Sequence, residues 1–540
     1  MRPKGRGELD SLYFDYPHFA PPARDKGTEP RRPVVIVGAG PVGMTAALTL
    51  AQYGIRSLLL DRKDTFNDGS RAICISRSSY YILERIGAVA PFLEKSLGWT
   101  RGRSFYRGRQ ILEFDMPDSE DEKFRPMYNL EQQYIEQFLW DAVEASALIE
   151  TRWQSEVTGI EDEAGGVSLT VTDPNGSYTL PAAWVLAADG ARSAIRQMRG
   201  LRLKGANYEG RYVIADVQMD HDYPTIRRAL FDPVCRPGGT VLIHRQPDNI
   251  WRIDYQLREG ESAEKATREE NVRASVAGVL EEIGHKGDWD LEWWSVYSAN
   301  TLLLDDYRDG RIFFIGDSAH IVPIFGVRGL NNGMADGQNI GWKLAWVLNG
   351  YASEALLDSY TPERRGATLD VFANATKSTR FMTPPTHGWQ VMRDAALSLA
   401  LTRPSAGRLA NPRQMTPYTY ADSPATTADG TGFSAGPVPG AMITDVALEG
   451  GFLSDRIGQG FTLLAFGDDA AEQARALRDP GLEVVTLPAE GAAAVAYGAR
   501  AGSAYLIRPD LHVAGRWQAA RAPDIEAALG ALSLHKEVSA

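Results

Sequence analysis

Short apolar runs and the turns that end them organise the first part of the chain. Residues 34–37 are β-branched and apolar, a glycine-rich turn follows at once, and a helical pattern then reaches Tyr53 before Gly54. A second apolar run at 57–60 ends at Asp61. Short β-branched runs are typical of buried parallel strands, and a glycine commonly follows the last turn of a helix. The order strand, turn, helix, strand predicts the start of a doubly wound α/β domain.

The middle of the chain predicts a return to this domain around an inserted sheet. Apolar runs at 184–187 and 311–315 lead into Asp189-Gly190 and Gly316-Asp317, and a helical pattern covers 332–348. Between them, residues 212–219, 240–245 and 250–257 have strand patterns, and 261–283 has the pattern of a charged amphipathic helix. We therefore expect a sheet domain at 206–299, inserted into an α/β domain made of 33–205 and 300–375.

The two ends of the chain predict further units. Residues 1–32 lack a periodic pattern and are interpreted as an N-terminal arm. Residues 376–440 are interpreted as a helical and linker segment, because 412–440 is rich in Pro, Thr, Ser and Gly. Strand candidates at 461–465, 483–487, 503–507 and 512–515 predict a small α/β domain at 441–540.

Charge and cysteine content narrow the function classes. The 540 residues include 57 Lys and Arg against 69 Asp and Glu, and the net charge of −12 gives no electrostatic support for nonspecific binding to nucleic acid or an anionic membrane. Two cysteines, Cys74 and Cys235, argue against a disulfide framework, and we predict no metal site. Charges interrupt residues 1–33 and glycines interrupt 34–51, so neither a secretory signal nor a membrane span is expected. We expect a cytoplasmic protein with a small-molecule ligand.

The first glycine-rich turn has the G-x-G-x-x-G spacing of a dinucleotide site. Gly38, Gly40 and Gly43 would let the backbone approach a pyrophosphate at the helix start. Asp61, 23 residues after Gly38, is placed to accept from a ribose hydroxyl. The strand before and the helix after favour dinucleotide binding over a turn that binds nothing. The motif is shared by NAD and FAD sites, so other residues must discriminate them.

Three motifs in this order resemble the single-component FAD-dependent aromatic hydroxylases, the p-hydroxybenzoate hydroxylase and phenol hydroxylase family. The first is the glycine turn with Asp61, and the second is Asp189-Gly190 with Ser193 and Arg196, which fits D-G-x-x-S-x-x-R. The third motif comprises Gly316, Asp317, Ala319, His320, Pro323, Gly329, Leu330, Asn331, Asn332, Gly333, Met334, Ala335, Asp336, Asn339, Trp342, Lys343 and Leu344.

The tail, with Tyr505 to Asp510 among its matching residues, resembles the thioredoxin-like C-terminal domain of the branch that includes 3-(3-hydroxyphenyl)propionate hydroxylase. The resemblance implies an α/β fold: a Rossmann-like FAD-binding domain, an inserted β-sheet substrate domain and a C-terminal thioredoxin-like domain. Because no cysteine follows residue 235, dithiol chemistry in the tail is impossible, and we predict a packing or dimer-contact role in a homodimer.

The resemblance also implies roles for individual residues. The turn before Asn332 would present backbone amides and a helix start to the flavin, which is anionic when reduced. Ser193 and Arg196, with Arg192, would stiffen the Asp189 turn, which the family associates with both FAD and NAD(P)H. The implied cofactor-binding residues are Gly38, Gly40, Gly43, Asp61, Arg71, Gln132, Asp189, Asp317, Gly329, Leu330 and Asn331.

The implied reaction begins with NADH or NADPH reducing FAD. Dioxygen then forms a flavin C4a-hydroperoxide that hydroxylates a phenolic aromatic substrate. The substrate would lie between the inserted sheet and the flavin, with Arg252 as a candidate for substrate binding. For the candidates on strands, the alternative is an ordinary interior or surface role, and for Arg252 an exposed cross-strand pair with Asp254. The candidate catalytic residues are His320, Pro323, His244, Asp254 and Tyr255.

Departures from the family pattern affect the substrate region most. Gln133 and Ile324 stand where prolines are frequent in relatives, and Val327-Arg328 replaces a common Gly-Gln. We therefore expect cofactor binding to be retained and substrate placement to differ. The alternatives are a polyketide-tailoring hydroxylase, another flavin oxidoreductase of this fold, a nicotinamide-dependent dehydrogenase and a noncatalytic flavin-binding protein.

Overall fold

A parallel sheet forms the centre of the first domain. The computed structural model describes residues 1–23, 29–258, 260–323, 326–410, 416–430, 432–479 and 481–532. Val34, Val35 and Ile36 have no exposed surface, so consecutive residues, which point to opposite faces of the sheet, are all buried, and this explains the unbroken apolar run. The strand order is Arg308–Asp309, Ile312–Phe314, Gly176–Ala187, Arg32–Val37, Ser57–Leu60, Ile149–Arg152. Gly166–Asp173 also pairs with Gly176–Ala187, and Glu156–Glu163 pairs with Gly166–Asp173.

Two helices of this domain, Pro41–Gln52 and Gly329–Leu348, pack closely against each other. Pro41–Gln52 starts with proline at its first position, where the missing N–H costs nothing. Gly337, in helix Gly329–Leu348, faces this helix, and a Cβ on it would lie 2.9 Å from the carbonyl oxygen of Val42. Gly333 and Gly341, one helical turn to either side, have the same restriction. These glycines bring the start of Gly329–Leu348 next to the glycine-rich turn.

The second sheet is antiparallel apart from one pair of strands and has two different faces. Val213, Ile253 and other apolar side chains pack against helix Glu269–Glu282, and polar side chains face the first domain. The edge pair Arg101–Tyr106 and Arg227–Phe231 is parallel. The strand order is His320–Ile321, Trp289–Leu303, Lys204–Met219, Ile250–Gln256, Thr240–Arg245, Arg227–Phe231, Arg101–Tyr106, Arg109–Asp115.

Hydrogen-bonded strands cross the domain boundaries expected from the strand and helix patterns. Lys204–Met219 and Trp289–Leu303 pass through 205/206 and 299/300, and Arg101–Tyr106 joins the second sheet from within 33–205. The helix expected at 261–283 is two helices, Ala263–Ala266 and Glu269–Glu282. The break arises because Arg268 has extended backbone, φ −65° and ψ 136°, at the start of the second helix.

The C-terminal part contains a small mixed sheet. Its order is Leu482–Leu487, Phe461–Phe466, Ala504–Ile507, Val513–Trp517; the first pair is parallel and the other pairs are antiparallel. Helices Asp468–Arg475, Ala492–Tyr497 and Ala522–Ala531 complete a βαβαββα order. This order is the one that a thioredoxin-like domain requires, and the thioredoxin-like assignment stays a prediction. Trp346 of helix Gly329–Leu348 packs on Phe461, with ring centres 5.0 Å apart.

The remaining elements connect these three units. A small sheet, Cys74–Ser76, Met127–Asn129 and Leu97–Trp99, lies between the first two. No helix within the described residues is both long and apolar enough to span a membrane. The other elements are helices Arg77–Arg85, Val89–Lys95, Gln132–Glu144, Ala194–Met198, Tyr360–Met382, His387–Ala400 and Pro404–Gly407, 3-10 turns Gly316–Ser318, Glu354–Ser359, Arg408–Ala410 and Leu453–Arg456, and the strand pair Ala447–Leu448 and Gly451–Phe452.

Candidate cofactor and substrate site

The predicted cofactor turns meet at one edge of the parallel sheet. Val37 lies beside Leu60 and Ala187, and Ala187 lies beside Phe314 in the parallel register. The turns that follow these strands carry Gly38, Asp61, Asp189 and Asp317. Ligands of doubly wound sheets bind at this carboxyl edge. The fold therefore brings together motifs that are nearly 300 residues apart in the sequence.

The three glycines of the first turn have different roles. Gly38 has φ +113°, and a Cβ on it would lie 2.4 Å from the carbonyl oxygen of Ala188. A Cβ on Gly43 would lie 1.9 Å from the carbonyl oxygen of Gly38. A Cβ on Gly40 would instead face nearly open space, because its nearest neighbouring atom, Asn67 Nδ2, is 3.9 Å away. Gly38 and Gly43 thus allow packing, whereas Gly40 leaves an open cradle at a helix start, which suits a pyrophosphate.

Asp61 orders the glycine turn. Its Oδ2 accepts from the amide of Ala39 at 2.8 Å, and its Oδ1 accepts from the amide of Lys63 at 2.9 Å. Each carboxylate oxygen has a second lone pair. The predicted ribose contact would therefore be added to a structural role.

Arg196 joins the second and third motifs. Its Nη1 donates to the carbonyl oxygen of Ser318 at 2.9 Å, and its Nη2 donates to that of Ala191 at 2.7 Å. Ser193 Oγ accepts from the amide of Arg196 at the start of helix Ala194–Met198. Asp189 Oδ2 accepts from the amide of Ile195, and its buried Oδ1 has no partner among the described residues. Burial raises the pKa of Asp189 above its ordinary value, and the hydrogen bonds that the carboxyl accepts oppose this rise.

Asp317 faces a cleft within the fold. Its side chain is accessible to solvent, although protein surrounds it closely enough that burial raises its pKa. His320 and Arg71 oppose this rise, and Arg71 is itself exposed. Arg71 and Asp317 therefore face the same cleft from different elements. This arrangement fits the predicted placement of both residues beside the cofactor.

Asn331 and Gln132 hold protein segments in place around the cleft. Asn331 Oδ1 accepts from Ser76 N at 2.8 Å and from Ser79 Oγ at 2.7 Å, and its Nδ2 donates to Cys74 O and Val327 O. These bonds fix the start of helix Gly329–Leu348 and leave the first-turn amides of Gly329 and Leu330 outside the helical ladder. Gln132 accepts from the amide of Ala72 at 3.1 Å.

His320 lies behind the Gly316–Ser318 turn. It has no exposed surface, and its Nε2 is 2.6 Å from Asp336 Oδ2. The same carboxylate accepts from the amide of Gly316 at 2.9 Å and from Arg364 Nε at 2.5 Å. The geometry supports a positioning role for this predicted catalytic residue. Pro323 is buried directly after this segment, and Ile324 lies outside the described residues.

The second sheet separates the strand candidates. His244, opposite Arg252 in the register, shares a face with Arg252 and Asp254. Tyr255 lies on the other face, in the apolar core beneath helix Glu269–Glu282, because consecutive strand residues point in opposite directions. The Arg236 guanidinium lies 4.7 Å from its ring centre. Tyr255 is therefore not brought together with the other candidates.

Arg252 and Asp254 form a buried pair on one strand, not an exposed cross-strand pair. Arg252 Nε donates to Asp254 Oδ1 at 2.8 Å, and Arg252 Nη1 donates to the carbonyl oxygens of Ser70 and Arg71 at 2.9 and 3.0 Å. Arg252 is 5% exposed. It joins the sheet to the segment that carries Arg71, and much of its donor capacity is used within the protein.

Sequence reasoning missed Arg227, which lies on the same face of the second sheet as His244 and Arg252. Its side chain is 5% exposed, and no hydrogen bond or ion pair from its guanidinium exists within the described part of the chain. Burial lowers its pKa to about 10, and electrostatic interactions with Cys74 and Asp254 oppose this fall. The adjacent pair Arg227-Arg228 was an available signal, because a strand must point one of two consecutive residues inward.

Comparison with known proteins identifies the family. The model of the family described as "FAD binding domain" matches residues 31–375. The chain belongs to this family. The open cradle at Gly40, the Asp189 oxygen that has no partner among the residues the structure describes and the accessible Asp317 carboxylate fit FAD. The predicted family, FAD as cofactor and, at the level of the family, an FAD-dependent aromatic monooxygenase are confirmed.

Curated relatives extend this likeness over most of the chain. The 3-(3-hydroxy-phenyl)propionate/3-hydroxycinnamic acid hydroxylase of Mycolicibacterium smegmatis is 28% identical over 530 residues, covering 92% of each chain. The protein of the same name from Klebsiella pneumoniae (strain 342) is 28% identical over 440 residues, covering 80% of this chain and 78% of that one.

Solved structures share the fold. The flavin-dependent monooxygenase PieE, in complex with FAD and substrate, has a TM-score of 0.79 and 24% identity, covering 94% of this chain and all of that one. Aklavinone-11 hydroxylase, with FAD and aklavinone, has a TM-score of 0.75 and 23% identity, covering 95% and 100%. These likenesses confirm the predicted flavin-monooxygenase fold.

Proposed function

We propose that the protein uses NAD(P)H and dioxygen to hydroxylate a phenolic compound that carries a carboxylate. The observation that carries the substrate class is Arg227, a buried guanidinium that no described carboxylate pairs. Buried charges are rarely left without a partner, because desolvation is costly. A substrate carboxylate would supply the missing anion, and arginine binds carboxylates through two parallel hydrogen bonds.

The curated relatives support this reading through the compounds in their names. A propionate or a cinnamic acid attached to a hydroxyphenyl ring carries one carboxyl group. Arg227 lies on the sheet face that it shares with His244, Arg252 and Asp254. A carboxylate bound there would place the aromatic ring of the substrate along this face.

The protein's own residues would prepare the cofactor and the phenol. Bound FAD supplies hydride acceptance and oxygen activation. The cradle at Gly40 would hold its pyrophosphate, and the start of helix Gly329–Leu348 would stabilise negative charge beside it. The substrate sheet and the buried Arg252–Asp254 pair would exclude water from the reacting face.

His244 is our candidate for holding the phenol proton, at Nδ1. This atom is buried and has no partner among the described residues. Burial and the charges of Arg227 and Arg252 lower the pKa of His244 well below its ordinary value, so the ring is neutral and Nδ1 can accept when it is the unprotonated nitrogen. A carboxylate bound to Arg227 would cancel part of the repulsive charge. Substrate binding would therefore make His244 more basic at the moment when the phenol must lose its proton.

The test compares one phenol in anionic and neutral forms, such as 3-(3-hydroxyphenyl)propionate and its amide. Substrate-stimulated NAD(P)H oxidation and product mass are measured on the FAD-loaded protein. We expect preference for the carboxylate in the wild type. Arg227→Gln should lower kcat/KM for the carboxylate by about tenfold or more and change the amide little, since charge-assisted hydrogen bonds contribute about 1.5–3 kcal/mol.

Arg228→Gln is the matched control. Arg228 is the next residue on the strand but points the other way, with its guanidinium 4.4 Å from the ring centre of Tyr223. Equal losses in both variants, or equal losses for both substrates, would contradict the role of Arg227. Flavin binding without phenol-stimulated NAD(P)H oxidation would instead indicate a noncatalytic flavin-binding protein. The homodimer stays a prediction, which light scattering checks.

A further inference from the structure

We propose that residues 2–19 form a strap that holds the loop 61–71 against the FAD cleft, and that Arg2 is a positioning residue for cofactor retention. The proposal rests on FAD as the cofactor. The loop begins at Asp61 and ends at Arg71, both of which we predict to bind the cofactor. It therefore runs beside the length of the site, and whatever fixes the loop also controls how readily FAD leaves.

Arg2 connects this loop to the second sheet. Its side chain is 3% exposed, its Nη1 donates to Glu292 Oε1 at 2.5 Å, and its Nη2 donates to Asp68 Oδ1 at 2.8 Å. Glu292 belongs to strand Trp289–Leu303, and Asp68 belongs to the loop. One buried guanidinium thus bridges the two domains on either side of the cleft.

The carboxylate oxygens of Glu292 accept hydrogen bonds from four residues of the strap. Besides Arg2, Glu292 accepts from Ser11 Oγ at 2.7 Å, from the amide of Leu12 at 2.9 Å and from Arg6 Nη1 at 3.2 Å. The carboxylate is 1% exposed. These four donors come from residues 2–12, so the first part of the strap is anchored at one point on the second sheet.

The rest of the strap follows the loop. The amide of Phe19 donates to the carbonyl oxygen of Asp64 at 2.7 Å, and the Phe19 ring stacks on Trp153 with centres 4.2 Å apart. Tyr16 OH accepts from the amide of Gly69 at 3.3 Å. Together with Arg2, these contacts reach the loop at three places, Asp64, Asp68 and Gly69.

Residues of the second sheet hold the loop 61–71 from its inner side. Trp293 Nε1 donates to Asp68 Oδ2 at 3.2 Å, so Arg2 and Trp293 hold the two oxygens of one carboxylate. The Trp293 ring lies under Gly69, where a Cβ would be 2.0 Å from Cε2. Arg252 holds the carbonyl oxygens of Ser70 and Arg71. The loop is thus fixed from within by the sheet and from outside by the strap, and only the strap can be weakened without altering the substrate face.

The experiment measures the FAD dissociation rate of the holoprotein from the rise of flavin fluorescence after dilution. Arg2→Ala should increase this rate by about tenfold or more, which corresponds to about 1.4 kcal/mol. Arg2→Lys should be intermediate, because an ammonium cannot reproduce both fork contacts. Lys4→Ala is the matched control, since Lys4 is a basic and exposed strap residue that donates to Glu269 through its backbone amide.

A second measurement separates cofactor retention from general stability. The increase in melting temperature on adding FAD should be smaller in Arg2→Ala than in the wild type. An equal loss of melting temperature in apoprotein and holoprotein, with an unchanged dissociation rate, would overturn the proposal. If Arg2→Ala does not fold, Tyr16→Phe removes the hydroxyl that accepts from the amide of Gly69 and from Arg2 Nη2, and an unchanged dissociation rate there would also overturn the proposal. A wild type that binds no FAD would refute the cofactor assignment instead.

Discussion

Arg508 binds Glu363 through both ends of its guanidinium, with Nη1 2.6 Å from Oε1 and Nη2 2.9 Å from Oε2. Both side chains are fully buried. Arg508 follows the C-terminal strand Ala504–Ile507, whereas Glu363 lies in helix Tyr360–Met382. Lys343 Nζ also donates to Glu363 Oε2 at 2.6 Å. The C-terminal unit is therefore joined to the first domain by a buried ionic cluster.

Replacing Glu363 should destabilise the protein strongly. Glu363→Gln removes the carboxylate that Arg508 and Lys343 share and leaves Asp510 as the carboxylate that still pairs with Arg508. Breaking a buried pair costs about 3–5 kcal/mol. Urea unfolding measures this loss. Glu354→Gln, in a half-exposed pair with Arg311, is the control and should change the free energy of unfolding by less than about 1 kcal/mol. Similar effects of the two changes would show that the cluster does not anchor the unit.

Acid should weaken the same cluster. Burial raises the pKa of Glu363, but Arg508 and Lys343 outweigh this effect and hold it well below the ordinary value. A carboxyl with a lowered pKa stabilises the fold above its unfolded pKa, and this contribution is lost as the pH falls through the folded value. Stability should therefore fall below about pH 4.5 in the wild type and less steeply in Glu363→Gln, as urea titrations at several pH values would show.

The contribution of Asp216 to stability should depend on pH in the opposite direction to that of Glu363. It has no exposed surface and lies opposite Arg252 in the strand register, and burial raises its pKa to about 8. Its contribution is full at acid pH and is lost as the pH rises towards 8. Because the loss begins at the unfolded pKa of about 4, Asp216→Asn should gain more melting temperature over the wild type at pH 8.5 than at pH 5, whereas Asp220→Asn, an exposed change just after the same strand, should show no such pH dependence.

Two glycines of the first turn should respond differently to substitution. Gly40→Val fills the open cradle, so the purified protein should fold but lack the absorbance of bound flavin near 450 nm. Gly43→Ala places a methyl group against the carbonyl oxygen of Gly38 and should lower the melting temperature of the apoprotein itself. Normal flavin content in Gly40→Val would refute the assignment of the cradle to FAD.

Replacing Val327 with glycine should stabilise the protein. It has φ +61°, a conformation that costs a β-branched residue about 1–3 kcal/mol. Glycine avoids this strain but loses up to about 1 kcal/mol through chain entropy. Val327→Gly should therefore raise the free energy of unfolding by about 1 kcal/mol, measured by urea unfolding. Val322→Gly, at a buried position nearby, should lower it, and a loss of the same size at Val327 would contradict the argument.

The cofactor side of the site could be predicted from the sequence because its information is local. Each motif pairs a short apolar strand with the turn that follows it, and parallel strands end at a common edge. The substrate side was harder, since Asp254 and Tyr255 are consecutive and only one could face the site. Arg227 was missed because the short strand that carries it was not recognised.

The strap could not have been found from sequence patterns. Arg2 and Glu292 are separated by 290 residues, and no periodicity connects them. The small sheet at Cys74–Ser76 and the joining of Arg101–Tyr106 to the second sheet are also long-range pairings. The departure at Val327 was visible in the sequence, but its consequence required the backbone angle.

Helix Gly329–Leu348 has twenty residues and is therefore about 30 Å long. Its first turn lies at the cleft, and its last turns carry Trp342 and Trp346, which lie against the final sheet. A rigid helix that contacts the cleft at one end and the C-terminal sheet at the other transmits displacement along its axis. Loosening the tail should thus be felt at the opposite end of the molecule, as altered polarity around the isoalloxazine ring.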